Sequence, residues 1–237
     1  MKQVLASIEA QAATFAELTY FRLLEHPGAR SDVEIMARGL SFFVMSFQDM
    51  LRLNARHITD PELKRLALGQ RKDDAGHDLW FLNDVQKLAL EPDLRWLFSK
   101  RHEQTRDTSY EIISQILAAP SDAARLAVGL ALEATGGVYF SRVYRFFSGL
   151  GLSEGFQFFS RHHWDAEQSH DLYESEVHEQ LLAIELSPEA RAQALAAARS
   201  TFGAVARMCE DLSSKMLDAR ARQGFQPATA LEVRPSL

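Results

Sequence analysis

Three side chains with metal-ligand chemistry fall on one stripe of one helix. The segment Phe158-Phe159-Ser160-Arg161-His162-His163-Trp164-Asp165-Ala166-Glu167-Gln168-Ser169-His170 places His163, Glu167 and His170 at i, i+4 and i+7. At about 100° per residue these project from the same side. Two imidazoles and a carboxylate form a mixed nitrogen and oxygen ligand set, which suits iron or manganese better than magnesium or calcium. The competing reading is a solvated polar face that happens to carry histidines. His162 points about 100° away from His163, so only one of the two can face the stripe.

A second carboxylate-x-x-His pair lies in Arg71-Lys72-Asp73-Asp74-Ala75-Gly76-His77-Asp78. Asp74 and His77 are three apart and share a helix face; Asp73, four before His77, is an alternative. Two such pairs on different helices, joined by carboxylates from other helices, are how helical bundles assemble two-metal sites. The third signal is Glu133, the only ionisable residue between Arg125 and Arg142. A carboxylate inside so apolar a run is expected to be buried, and a buried carboxylate needs a cation or a hydrogen-bond partner. Asp49 interrupts another apolar run, Phe42 to Leu51, as a ligand, a partner to a ligand or a substrate contact; Arg52 and Arg56 nearby make a surface ion pair the competing role. Phe43, Phe47, Phe140, Phe146 and Phe159 lie close to these positions in sequence and are candidates to line a pocket, though phenylalanines at helical spacing are mostly core. Arg142, Arg145 and Arg161 are candidates to clamp a substrate carboxylate, against the plainer role of surface arginines.

The elements that must position these residues are helices. Alternating β-branched runs and Asn-Gly or Asp-Gly hairpin signals do not occur. Leu5, Ile8, Ala12, Phe15, Leu18 and Phe21 follow helical steps, and Pro27-Gly28 closes that first stretch. Ser31 with Glu34 has capping-box spacing and predicts a second helix to about His57. Asp60-Pro61 predicts a third to about Leu90, with a break at Gly69 or Gly76; Pro92-Asp93 a fourth to about Ala119; Pro120-Ser121-Asp122 a fifth to about Phe147. Gly136-Gly137 in the fifth marks a kink or a close approach of another element. Ser153-Glu154 predicts a sixth helix to about Glu185, and Ser187-Pro188 a seventh to about Arg222. The expectation is an all-α bundle forming one domain over residues 1–223, with a flexible tail over residues 224–237.

Bulk composition narrows the function classes. With 46% hydrophobic and 24% charged residues, the chain can build an ordinary globular core. A net charge of -6 without a basic block gives no electrostatic support for binding nucleic acid or an anionic membrane. One cysteine, Cys209, rules out an internal disulfide framework and a cysteine-rich metal site. No stretch approaches the roughly 18 apolar residues of a spanning helix, and the N-terminus lacks the pattern of a signal peptide. These features predict a soluble, cytoplasmic protein.

The pattern His163-x-x-x-Glu167-x-x-His170 resembles the last-helix ligand motif of the haem-oxygenase-like di-iron oxidases. Glu133 matches that family's mid-chain glutamate, and Asp74 with His77, followed by Trp80-Phe81-Leu82, resembles its early carboxylate and histidine. Many members carry a glutamate seven residues before the histidine; here that position is Gln70. The resemblance covers essentially the whole chain and implies the family's seven-helix fold. It implies two Fe(II) ions held by Asp74, His77, Glu133, His163, Glu167 and His170, with O2 as co-substrate. The implied chemistry is oxidation of a small molecule, such as an amino acid, amine or fatty acid, by N-oxygenation, desaturation, C–C cleavage or nitrile formation. An external electron donor and a homodimer are compatible with it. Rival readings are metal-free relatives of the same fold, the thiaminase II and pyrroloquinoline quinone synthase types, a ferritin-like iron-oxidising bundle, and a non-enzymatic helical interaction protein. The thiaminase reading needs a nucleophilic cysteine, for which only Cys209 is available.

Overall fold

The computed structural model of the chain describes residues 1–90, 93–152, 154–168 and 175–224. The described residues form helices, and no strand occurs among them. In chain order these are α1 (Lys2–Phe15), α2 (Thr19–Leu24), α3 (Arg30–His57), α4 (Pro61–Asp73), α5 (His77–Lys87) and the short α6 (Leu94–Leu97). A 3-10 turn (Lys100–His102) then leads into α7 (Glu103–Ala118), α8 (Asp122–Gly149), α9 (Arg161–Glu167), α10 (Ser175–Ala183) and α11 (Pro188–Arg222). The all-helical expectation holds, but three of the anticipated long helices are divided and a fourth begins late. The predicted tail falls almost wholly on residues 225–237, outside the described residues.

Each division has a local cause. The first stretch breaks at Leu18, whose backbone is extended (φ -58°, ψ 147°), and the break lets Phe15 and Phe21 meet edge to face at 5.0 Å. The third breaks at Gly76, which takes φ +93°, a conformation only glycine adopts cheaply. The fourth breaks at Ser99, where Arg106 Nη1 caps the Leu97 and Ser99 carbonyls. The sixth begins at Arg161 rather than near Ser153. Ahead of it the buried Asp84 carboxylate of α5 accepts the backbone N–H groups of Gln157 and Phe159, fixing a turn that Gly155 (φ +78°) opens.

Among the described residues five helices start on a side-chain cap. Asp60 accepts from Glu62 and Leu63 N–H, Ser121 from Ala124 N–H, and Ser187 from Ala190 N–H. The start of α3 differs from the Ser31/Glu34 expectation. The helix begins at Arg30, and Asp32 reaches back to the Ala29 N–H at 2.7 Å. Asp32 also pairs with Arg220 at 3.0 Å, both buried, so one carboxylate caps α3 and ties it to the end of α11.

The long helices carry the core. Helix α8 packs most extensively on α11, α3 on α7, and α1 on α11 and α8. Helix α8 is continuous through Gly136 and is buried around most of its first four turns, as a central helix must be. No helix among the described residues is long and apolar enough to cross a membrane.

His102, in the 3-10 turn, gives the fold a pH dependence. It is buried against Trp96 at 5.6 Å, and burial, with Lys215 and Arg101 nearby, pulls its pKa from 6.5 to about 4. Below pH 6.5 the unfolded chain takes up a proton that the folded chain refuses. This contribution is therefore complete above about pH 6.5 and is lost as pH falls towards 4. Thermal melts of His102→Phe should show a flatter decline in Tm between pH 6.5 and 4 than the native chain. Parallel declines would mean that His102 does not titrate in this way.

Candidate metal centre

Three ligand-type atoms converge where α5 meets α9. His163 Nε2 lies 3.1 Å from His77 Nδ1 and 3.1 Å from Glu167 Oε1. The three donor atoms all lie within 4.8 Å of one another, and all three residues are buried. Asp74 Oδ1 stands 3.4 Å from the same His77 Nδ1. The break between α4 and α5 produces this arrangement. Asp74 ends one helix, Gly76 turns the chain, and His77 opens the next with its ring directed inward. Gln48 of α3 donates to the Asp74 backbone carbonyl at 2.6 Å, which pins the break to the bundle.

The imidazoles are held from all sides. The Phe158 carbonyl accepts from His163 Nδ1 at 3.0 Å. A carbonyl can only accept, so His163 donates from Nδ1, and Nε2 is the atom aimed at His77 and Glu167. The His163 ring lies 3.7 Å from that of Phe140 and 4.8 Å from that of Phe158, and Trp80 stacks on His77 at 4.4 Å. Rings packed this way lose little rotamer freedom on taking a ligand. Phe158 and Gln48 lie within quoted motifs but had no pattern to single them out; their parts come from the turn before α9 and from the inner face of α3.

Glu133 joins the same cavity from α8. It is 5% exposed, and Gln70 of α4 donates to its Oε2 at 3.2 Å and to the Gly129 carbonyl at 2.9 Å. Gly129 makes room for this: a Cβ there would come within 2.6 Å of Gln70 Oε1. At Gly136 a Cβ would meet Glu167 Oε2 at 3.6 Å, so α9 comes into contact range of α8 there without a kink.

Asp74, His77, Glu133, His163 and Glu167 therefore line one cavity. His170 lies outside the described residues. Of the paired alternatives, Asp74 is buried and lines the cavity where Asp73 is half-buried and does not, and His163 is buried where His162 is exposed. Phe43, Phe47 and Phe140 line the cavity. Phe159 does not: it is fully buried and stacks on Phe147 at 4.4 Å. Phe146 is likewise core. Asp49 is exposed and pairs with Arg52 at 2.8 Å, one turn along the outside of α3. None of the three candidate clamp arginines lines the cavity. Arg142 donates to the Val138 carbonyl and Ser141 and lies over Phe21, Arg145 donates to Tyr144, and Arg161 pairs with Asp165.

Neither a protein-family model nor a curated protein matches this chain. What the site can do must therefore come from its own chemistry.

Among the described residues the lining is rich in acid. Asp74, Glu133 and Glu167 are buried, Asp78 is half-buried beside them, and the lining includes no lysine or arginine among the described residues. The imidazoles are the lining's only chargeable bases. Cys209 belongs to the same lining, but burial, reinforced by Glu210, pushes its thiol far above the usual cysteine range. A thiol so raised stays protonated and is a poor nucleophile.

Proposed function

We propose that this chain is a non-haem iron protein of the haem-oxygenase-like di-iron kind, an oxidase or oxygenase that uses O2 on a small molecule. The observation that carries the reading is the convergence of His77, His163 and Glu167 in a cavity that the buried carboxylates of Asp74 and Glu133 also line. Buried carboxylates in that number need positive charge. The residues fit a metal ion. Two ligands about 2.1 Å from one ion and at right angles to each other are about 3.0 Å apart, the spacing His163 Nε2 keeps from both neighbours.

His77, His163 and Glu167 would hold one ion, with Asp74 beside it; Glu133 and Asp74, with His170, are the donors for a second. When bound, iron supplies the redox capacity for reaction with O2. The chain supplies the rest. The Phe158 carbonyl fixes the His163 tautomer and Trp80 orients His77. Glu133 keeps an orientation set by the Gln70 amide. Phe140, Phe158 and the half-buried Phe43 and Phe47 keep water from the ligand cluster and shape the space for substrate. The metal-free thiol chemistry of a thiaminase finds no support in so apolar a setting for Cys209.

Anaerobic titration of metal-free protein with Fe(II), followed by admission of O2 while the visible spectrum is recorded, tests the reading. Uptake approaching two ions per chain, with an O2-dependent absorbance change, is expected. Absence of uptake in protein whose helicity is intact would sink it.

A further inference from the structure

The cavity extends well beyond the ligand cluster. Phe140, which lies on His163, touches Tyr139 at 4.9 Å, and Tyr139 stacks over Tyr20 at 6.4 Å. This inner end reaches between α1, α2, α3, α8 and α11, where Phe15, Leu40, Val205 and Met208 complete an apolar wall. Tyr20 is fully buried, and beyond a contact between the two hydroxyls neither finds a hydrogen-bond partner among the described residues. Their polar neighbours are each other and the Cys209 thiol. A buried hydroxyl left without a good partner costs about 1–3 kcal/mol, which a ligand's polar group can recover. Burial pushes both phenols well above their ordinary range, so both remain O–H donors at neutral pH.

Charge limits what fits. Among the described residues the inner end offers no cation to receive a carboxylate, since its lining has no lysine or arginine and Arg142 is committed to Val138, Ser141 and the face of Phe21. It offers no anion for an ammonium group either, because the carboxylates all stand at the metal end. An ionised group placed among Phe15, Leu40, Val205 and Met208 would lose its hydration without compensation.

From this we infer a substrate class: an elongated apolar molecule whose inner end is uncharged and carries one hydroxyl or carbonyl group, received by Tyr20 and Tyr139, so that its opposite end lies beside the ligand cluster. The inference rests on the proposed metal centre for which end reacts, but not for the binding itself.

The test uses the full chain loaded with Mn(II), with metal content measured in the same samples, and calorimetric titration with 1-octanol, octanoate, octylamine and phenylalanine. Tyrosine-dependent binding is expected of 1-octanol alone, because a charged probe enters only with its charged end at the ligand cluster. Tyr139→Phe and Tyr20→Phe should each weaken 1-octanol about three- to tenfold, the worth of one hydrogen bond, with Tm unchanged or raised. A loss of octanoate, octylamine or phenylalanine binding in the tyrosine variants as large as that of 1-octanol would overturn the inference, as would undiminished 1-octanol binding by both variants. Protein that takes up no Mn(II) yet binds 1-octanol in a tyrosine-dependent way would refute the metal centre and leave this inference standing.

Discussion

Replacement of His163 by alanine should abolish the first step of metal uptake. His163 Nε2 is the atom common to both short donor contacts, at 3.1 Å from His77 and 3.1 Å from Glu167, so its loss opens the middle of the ligand group. Altering a residue that merely orients a ligand costs about 10- to 100-fold in metal affinity, and removing the ligand itself should exceed that. Stability offers a readout independent of turnover. At a metal concentration 100 times Kd the native chain gains about 2.7 kcal/mol, and a variant bound 100-fold more weakly gains only about 0.4 kcal/mol. Thermal melts with and without Mn(II) should thus show a clear rise in Tm for the native chain and almost none for His163→Ala. The metal-free variant should still fold, although it loses the ring packed between Phe140 and Phe158. An equal metal-dependent rise in both proteins would mean that the ion binds elsewhere.

The residues that converge here were legible as types and spacings, because helical geometry alone puts i and i+4 on one face. His163 and Glu167 share α9 for that reason. Asp74 and His77 meet for a different one. Spacing suggested a common helix face, but a glycine turn separates them, and it is Gly76 at φ +93° that aims His77 at the cluster. The choice between Asp73 and Asp74 could not be made from sequence, since it depends on where α4 stops. Asp49 illustrates the reverse limit. It interrupts an apolar run, as a buried carboxylate would, yet it falls on the outer side of α3 beside Arg52. Periodicity places a residue on a face; only the packing of α3 against α7, α4 and α8 decides which face is inside. Tyr20 and Tyr139 had no signal at all. Each is one more aromatic residue in a helix, and their apposition is a contact between α2 and α8 across more than a hundred residues.

Gln70 stands where the proposed reading would place a further carboxylate, and it yields the second large prediction. The amide is buried and donates to Glu133 Oε2 at 3.2 Å and to the Gly129 carbonyl at 2.9 Å. A neutral donor at this place holds Glu133 without adding a ligand, so the donors for a second ion are fewer than those gathered around His163. Metal uptake by the native chain should accordingly proceed in two unequal steps. Gln70→Glu preserves the shape, removes the donated hydrogen bond and adds a carboxylate beside Glu133. Without metal the change should destabilise by about 3–5 kcal/mol, because a buried charge is left uncompensated and faces a like charge. For a chain of this length that is a fall in Tm on the order of 10 °C. With metal the same carboxylate becomes a ligand, so the second step should tighten at least tenfold and much of the lost Tm should return. The opposite signs of the two effects separate this outcome from simple damage to the fold, which would lower Tm whether or not metal is present. If the second step stays as weak as before while the metal-free protein is destabilised, Glu133 is held by Gln70 for packing alone and the second ion does not bind between α4 and α8.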